Sequence, residues 1–464
     1  MRFVALTLFL AASVARADLS EADLATAAKL RDSALASPLA YELVTSLTTE
    51  VGSRMAGSPG DERAVAWAVA RLKRLGFANV RAEPFKFTAW KRGPGHAQIT
   101  APYPHRLVMT ALGNSVPTPP EGLEAEVAYY PDFAALRADK SDRARGKIVF
   151  IDQKTERLRF GATYGSAVAA RTSGASEAAK RGAIASVIRS IGTDHDRMAH
   201  TGAMLYQADA PRIPAIAVSV PDADTIARIA KDANASPLRL KLVVATEPEV
   251  PATSHNVIAE IEGTDLAKDI VLIGAHLDSW DEGTGAIDDG AGVGIVVGAA
   301  KAILDSGSKP RRTIRVVLFG NEEKVVDGSR AYGERYKDVR HQMVGESDFG
   351  AGRPWRFATR VTPAALPVMA QIEKVLVPLD MARGDNDANT GPDAALLSRR
   401  HGWPTLHADQ DGSDYFNYHH TPNDTLDKVD PAAMRVNVAA WSVMAWLAAQ
   451  SDVEFGPLPR EPGP

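Results

Sequence analysis

Five separated motifs carry side chains that could do chemistry: His276 in AHLDSW, Asp288 in GAIDDGAG, Glu322 and Glu323 in FGNEE, Glu346 and Asp348 in GESDFG, and His419 and His420 in DYFNYHHTPNDT. With no cysteine in the chain, imidazole nitrogen and carboxylate oxygen are the donors that zinc accepts. Two ions need one bridging carboxylate and terminal ligands on each side. Asp288 suits the bridge, with His276 and Asp348 on one ion and Glu323 and His420 on the other, leaving open positions for water and substrate. GESDFG also offers Glu346, and the paired histidines offer His419. Asp278, two residues after His276, suits a partner that fixes the imidazole tautomer.

Taken singly, each motif has an ordinary explanation. A histidine at a strand end is usually satisfied by its neighbours, a Glu-Glu pair is usually a solvated helix start, and Asp-Asp-Gly is usually a turn or cap. Their joint occurrence at strand ends outweighs those readings. NVIAEIEG, DIVLIGAHLD, RTIRVVLFGNEE, HQMVGESD and WPTLHADQ have strand texture, and helical stretches such as GAGVGIVVGAAKAILDSG and PDAALLSRRHG separate them. That alternation predicts an α/β fold, a mixed and largely parallel sheet flanked by helices. In such a sheet functional groups collect outside the carboxyl ends of the strands, where these motifs fall.

The N-terminal part begins with two helical stretches. A third helix starts at Ser58 and Pro59, repeats apolar residues at Val65, Ala68, Val69, Leu72 and Leu75, and stops at Gly76. VRAEPFKFTAW then alternates as a strand. From about Leu107 the texture changes: NSVPTPPEG reads as a linker, and KIVFID, ASVIRS and IPAIAVSV as short strands around an Ala-rich helix at GASEAAKRG. The expected organisation is a leader at residues 1–17, one domain from 18–106 and 253–464, and a smaller inserted β-rich α/β domain at 107–252, closing near EPEVPATSHN.

The chain has 464 residues, 45% hydrophobic and 24% charged, with a net charge of −4. This is ordinary globular composition, and its scattered Lys and Arg offer no footprint for nucleic acid or an anionic membrane. A small soluble substrate is expected. MRFVALTLFLAASVARAD has Arg2 before an apolar run from Phe3 to Val14 and the small-x-small pattern Ala15, Arg16, Ala17, which predicts a signal peptide cut before Asp18. The run is short of the ~20 residues that span a bilayer, so the mature chain is expected in the periplasm or medium. Without cysteine it forgoes disulfides and lipid attachment.

The series AHLDSW, GAIDDGAG, FGNEE, ESDFG and YHHTPNDT, with GSRMAGSPG near the start, resembles the co-catalytic zinc aminopeptidase family, in its plasma glutamate carboxypeptidase-like branch. The resemblance covers nearly the whole mature chain. It implies two zinc ions on His276, Asp288, Glu323, Asp348 and His420, Glu322 as the base, and an inserted protease-associated domain. It favours Asp348 over Glu346 by the branch's pattern, and His420 over His419 because the ligand directly precedes Thr421. In more distant relatives a tyrosine that helps hold the oxyanion stands at the place of His419, which here serves that end or simply packs. One departure affects the loop after the glutamates: many relatives have an early glycine there, whereas NEEKVVDGSR reaches Gly328 late.

The resemblance further implies short peptides with free termini as substrates, aminopeptidase or dipeptidase action, and homodimerisation. Two other readings compete: a single-zinc, glutaminyl cyclase-like acyl transferase, and a non-catalytic binding protein of the same fold. The full ligand set argues against the first and an intact Glu322 against the second. His195 and His200, in the insert, belong to a loop or reach over the site. Trp280 is expected to pack in the site wall, and the other histidines to be surface or core groups.

Overall fold

The computed structural model describes residues 19–235 and 237–461; the leader expected at residues 1–17 lies outside them. The alternating pattern of the C-terminal half forms a mixed sheet. Leu266–His276 is flanked in parallel by Arg312–Phe319 on one side and His341–Glu346 on the other, and Thr405–Gln410 runs parallel beyond the latter. Antiparallel strands, Arg239–Ile261 and Pro354–Arg360, border this block. Because the central strands run the same way, the loops after His276, Phe319 and Glu346 emerge on one edge.

Those central strands are buried along most of their length, which explains why they read as continuous apolar runs rather than alternating ones. Helices supply the cover. Ala291–Asp305 is apolar on almost every face and packs on the sheet beside the helix Pro431–Gln450, which also contacts the sheet. The latter is apolar and long enough to cross a membrane, yet 89% of its 18-residue apolar stretch is buried in the fold. The helix Glu21–Ala34 packs on its far side.

The helix Pro59–Arg74 starts and stops as its residues dictate. The Ser58 hydroxyl accepts from the amides of Gly60 and Asp61, Pro59 fills the first turn, and Gly76 takes φ +87° just beyond the end.

Two long strands, Ala78–Ala101 and Arg239–Ile261, form an antiparallel ribbon interrupted by register shifts. Arg239–Ile261 runs through Pro248 and Pro251 without a break. Its first residues pair with Leu123–Tyr130 and its last with Arg312–Phe319. The ribbon thus joins the peptide chain's two layers. On the far side, Leu123–Tyr130, Ile148–Ile151, Ala185–Arg189 and Ala215–Val218 are mutually parallel, closed by antiparallel Met109–Ala111. The helix Tyr164–Lys180 from this smaller layer faces the carboxyl edge of the larger sheet.

Candidate metal centre

Each sequence motif arrives from a different strand. His276 is the last residue of Leu266–His276. Glu322 and Glu323 open the single-turn helix Glu322–Val325 after Arg312–Phe319. Asp348 follows His341–Glu346, and Asp288 lies in the irregular turn before Ala291–Asp305. His419 and His420 come from the loop after the helix Tyr415–Tyr418.

Asp288 stands at the middle. Its Oδ1 is 2.9 Å from His276 Nε2, and its Oδ2 is 3.2 Å from His420 Nε2. His420 Nε2 is also 2.9 Å from Glu323 Oε2, and His276 Nε2 is 3.6 Å from Asp348 Oδ1. One carboxylate therefore faces two groups, His276 with Asp348 and His420 with Glu323. Of the open alternatives, Glu346 turns away: its Oε2 accepts from the Ala394 amide at 2.9 Å. His419 stacks on His420 with ring centroids 3.5 Å apart and reaches Asp288 Oδ2 only at 3.6 Å.

The donor set fits a divalent ion. His276 Nδ1 donates to the Asp278 main-chain carbonyl at 3.1 Å, and His420 Nδ1 to the Thr201 carbonyl at 3.2 Å. A carbonyl only accepts, so each Nδ1 carries a proton and each Nε2 is turned toward carboxylate oxygens. Such a contact needs a cation shared across it, a proton or, in its place, a metal ion. Asp288 Oδ2 and Glu323 Oε1 are moreover buried with no hydrogen-bond partner among the described residues, a costly state unless an ion is to occupy the gap. Zinc accepts this mixture of imidazole and carboxylate.

The electrostatics agree. Burial works against charge on His276, but its contacts with Asp288 and Asp348 outweigh it and hold the imidazole well above 6.5. Burial likewise opposes ionisation of Asp288, yet His276 and His420 keep it well below the usual carboxylate range. Glu322, which makes no such contact, is pushed well above 4.5 by burial and by the neighbouring carboxylates Asp348 and Glu323.

A set of outer contacts holds this arrangement, and most were not visible in the sequence. The Asp278 carboxylate accepts from the amides of Glu322 at 3.0 Å and Glu323 at 3.4 Å, so it orients the glutamates while its carbonyl orients His276. Asp289 accepts from the amides of His276 and Gly292. Asp424 accepts from the amides of Ile287 and Asp288, and burial lifts it to about 7. Arg54, fully buried, donates to the carbonyls of Leu277, Thr284 and Gly285. Arg54 and Asp424 do lie in the motifs GSRMAGSPG and YHHTPNDT, but nothing in the sequence named their partners.

The smaller layer reaches the site through His200, not His195. His200 is buried, its Nδ1 donates to the His419 carbonyl at 2.9 Å and its Nε2 lies 2.9 Å from Asp194 Oδ1. His195 is exposed. Trp280 is buried against Trp90 and His420, as wall packing. In the loop after the glutamates, Val326 adopts φ +52°, a region that a β-branched residue enters at a cost. Gly328 packs tightly on Gly320 and Asn256, where a Cβ would collide.

Glu322, Glu323, Asp288, Asp348, His419 and His420 line one cavity of about 500 Å³. Tyr164, Val168, Arg171 and Leu205 of the smaller layer complete it.

A buried His and carboxylate cluster at the carboxyl edge of a mixed sheet, open to a cavity of peptide size, defines a zinc-dependent metallopeptidase. Comparison with known proteins supplies the family. Residues 256–445 match the model of peptidase family M28. Carboxypeptidase Q of Bos taurus is 36% identical over 411 residues, 88% of this chain and 85% of that protein. The crystal structure of a peptidase M28 precursor from Shewanella amazonensis SB2B superposes with a TM-score of 0.92 at 48% identity, covering 95% of this chain and 99% of that one. A zinc aminopeptidase from Bacillus subtilis shares the fold, with a TM-score of 0.63 at 17% identity over 90% of this chain and 97% of that one. The chain belongs to peptidase family M28, in its carboxypeptidase Q-like branch.

Proposed function

We propose that the chain is an exported di-zinc exopeptidase that cuts short peptides in the manner of an aminopeptidase or dipeptidase. The observation that carries this is the position of Asp288, whose two oxygens face His276 and His420 at 2.9 and 3.2 Å. One carboxylate between two ligand groups is the arrangement that two neighbouring ions need. His276 and Asp348 would hold one ion, Glu323 and His420 the other. The catalytic domain comprises residues 18–106 and 253–464, and 107–252 form an inserted domain of the protease-associated type.

Bound zinc supplies Lewis acidity, polarising a carbonyl oxygen and lowering the pKa of water toward neutrality. Glu322 lines the cavity beside the ligands without being engaged by their histidines. It takes a proton from the attacking water and hands it to the departing amine. Asp278 holds Glu322 and Glu323 by their amides, so the base and its neighbouring ligand keep a fixed separation. His419, stacked on His420 and 3.5 Å from the Tyr164 hydroxyl, is placed to donate to a developing oxyanion.

The test is zinc content of the mature protein together with turnover of a dipeptide panel, with Glu322→Gln as the control. Two zinc per chain, and a variant that keeps them but loses turnover, is the expected result. One zinc without peptide turnover would replace this reading with a cyclase-like acyl transfer, and no bound metal would leave a binding protein.

A further inference from the structure

Resting on the peptidase reading, we propose that Arg171 is the substrate anchor of this site: it receives the free C-terminal carboxylate of the peptide and thereby selects for very short substrates. Arg171 lies in the helix Tyr164–Lys180 of the smaller layer and is only 7% exposed, yet it lines the same cavity as Asp288, Glu322 and His420.

Its guanidinium lacks a counter-charge. Among the described residues no carboxylate comes within ion-pair distance of it. Its Nη2 donates to the Tyr164 hydroxyl at 3.2 Å, its Nη1 sits 3.4 Å from His420 Nδ1, and its Nε is buried with no hydrogen-bond partner. His420 Nδ1 already gives its proton to the Thr201 carbonyl, so it offers Arg171 nothing strong. Burying a guanidinium without a partner is costly, and the chain makes room for it. Gly202, at φ +134°, passes so close that any Cβ would strike the guanidinium.

The carboxylates nearby do not remove the surplus. In the proposed loaded state Asp288, Glu323, Asp348 and Glu322 together carry as much negative charge as two divalent ions carry positive. Lys324 and Asp409, on the same wall, cancel one another in charge, and Arg171 stays as the surplus positive charge beside His420. An incoming carboxylate balances it with paired, charge-assisted hydrogen bonds, which the guanidinium fork matches better than any other side chain.

Position gives the anchor its meaning. Arg171 Nη1 lies 3.4 Å from His420 Nδ1, on the side of the ring away from the nitrogen that would hold a metal, so the gap to be spanned is the ring plus that contact, which a chain segment of about one residue, ~3.5 Å long, and its hydrogen bond can fill. A carboxylate held there follows the scissile carbonyl by about one residue, as in a dipeptide. Val168 and the half-exposed Leu205 flank the same wall and give the last side chain an apolar surface.

The experiment uses zinc-loaded Glu322→Gln protein, in which hydrolysis is blocked, and compares dissociation constants of alanyl-leucine and alanyl-leucinamide by calorimetry. The acid is expected to bind about tenfold to hundredfold tighter than the amide. Adding Arg171→Gln should erase that preference while amide binding and zinc content persist, and Arg171→Lys should restore part of it. Equal binding of acid and amide in the parent overturns the anchor, and so does an equal weakening of both ligands in Arg171→Gln. The first of these needs no folded Arg171 variant. An Arg171-dependent preference for the acid in a protein that, with Glu322 intact, leaves the dipeptide uncut would keep the anchor and sink the peptidase reading. Cleavage of acid and amide at equal rates would do the reverse.

Discussion

His420 Nδ1 donates to the main-chain carbonyl of Thr201, 3.2 Å away, and the Thr201 amide donates back to the His420 carbonyl at 2.9 Å. With the His200 bond to the His419 carbonyl, the whole His-His segment is fastened to the smaller layer. The tautomer of a proposed ligand from one layer is therefore set by the backbone of the other. Such supporting contacts are worth about 10- to 100-fold in metal affinity. His200→Ala is expected to loosen zinc by that factor, measured by competition with a chromogenic chelator. Unchanged affinity would show that the loop holds its shape without the smaller layer.

Glu322→Gln removes the proposed proton carrier but keeps the shape of the side chain and the amide that donates to Asp278. A fall in kcat of about 10²- to 10⁴-fold with zinc retained is expected. The pH profile adds a sign. Burial holds Glu322 above the usual glutamate range, and only its ionised form accepts a proton. Activity should then fall as pH drops through the value that burial raises and bound dications lower, on an acid limb set by this group. An acid limb unchanged in the residual activity of the variant would assign the titration to another group.

The sequence was legible where chemistry and periodicity coincide. His276, Glu322 and Glu323 follow long apolar strands, so both their types and their place at one sheet edge could be read together. Asp348 and His420 needed the resemblance to be chosen over Glu346 and His419, because spacing alone does not say which of two close candidates turns inward. Arg54, Arg171, His200 and Thr201 act through partners more than a hundred residues away or through main-chain atoms, and a main-chain carbonyl leaves no trace in the residue type. The ribbon of Ala78–Ala101 and Arg239–Ile261 is similar: Pro248 and Pro251 read as punctuation, yet the strand runs through them.

Arg54 is the structural counterpart of the buried carboxylates. Its three carbonyl bonds tie the loop after His276 to the turn that carries Asp288, and the charges of Asp424, Asp278 and Asp289 surround it. Arg54→Met leaves those carbonyls unpaired and the carboxylates without their cation. A loss of about 3–5 kcal/mol in unfolding free energy is expected, read from urea midpoints of the metal-free protein. Arg54→Lys, with a single point of donation, should recover only part. A loss below about 1 kcal/mol would mean that the loops are held by packing alone.

The acid sensitivity of the fold has a source outside the metal centre. His341 is buried, stacked on Trp403 at 3.7 Å, its Nδ1 donating to the Val339 carbonyl and its Nε2 accepting from the Tyr332 hydroxyl at 2.9 Å. Arg315 donates to that same hydroxyl, which leaves the tyrosine proton for His341. Burial first, with the charges of Arg315 and His401 added, lowers the imidazole to about 3. The unfolded chain takes up this proton near pH 6.5 and the folded chain does not until about 3. Stability is thus whole above 6.5 and is lost as pH falls through the window between those values, by about 2 kcal/mol at pH 5 from this group alone. His341→Gln costs stability at pH 7 through lost stacking but should lose about 2 kcal/mol less than the wild type on going to pH 5. Parallel loss of the two urea midpoints with pH would show that His341 is not the proton acceptor of acid unfolding.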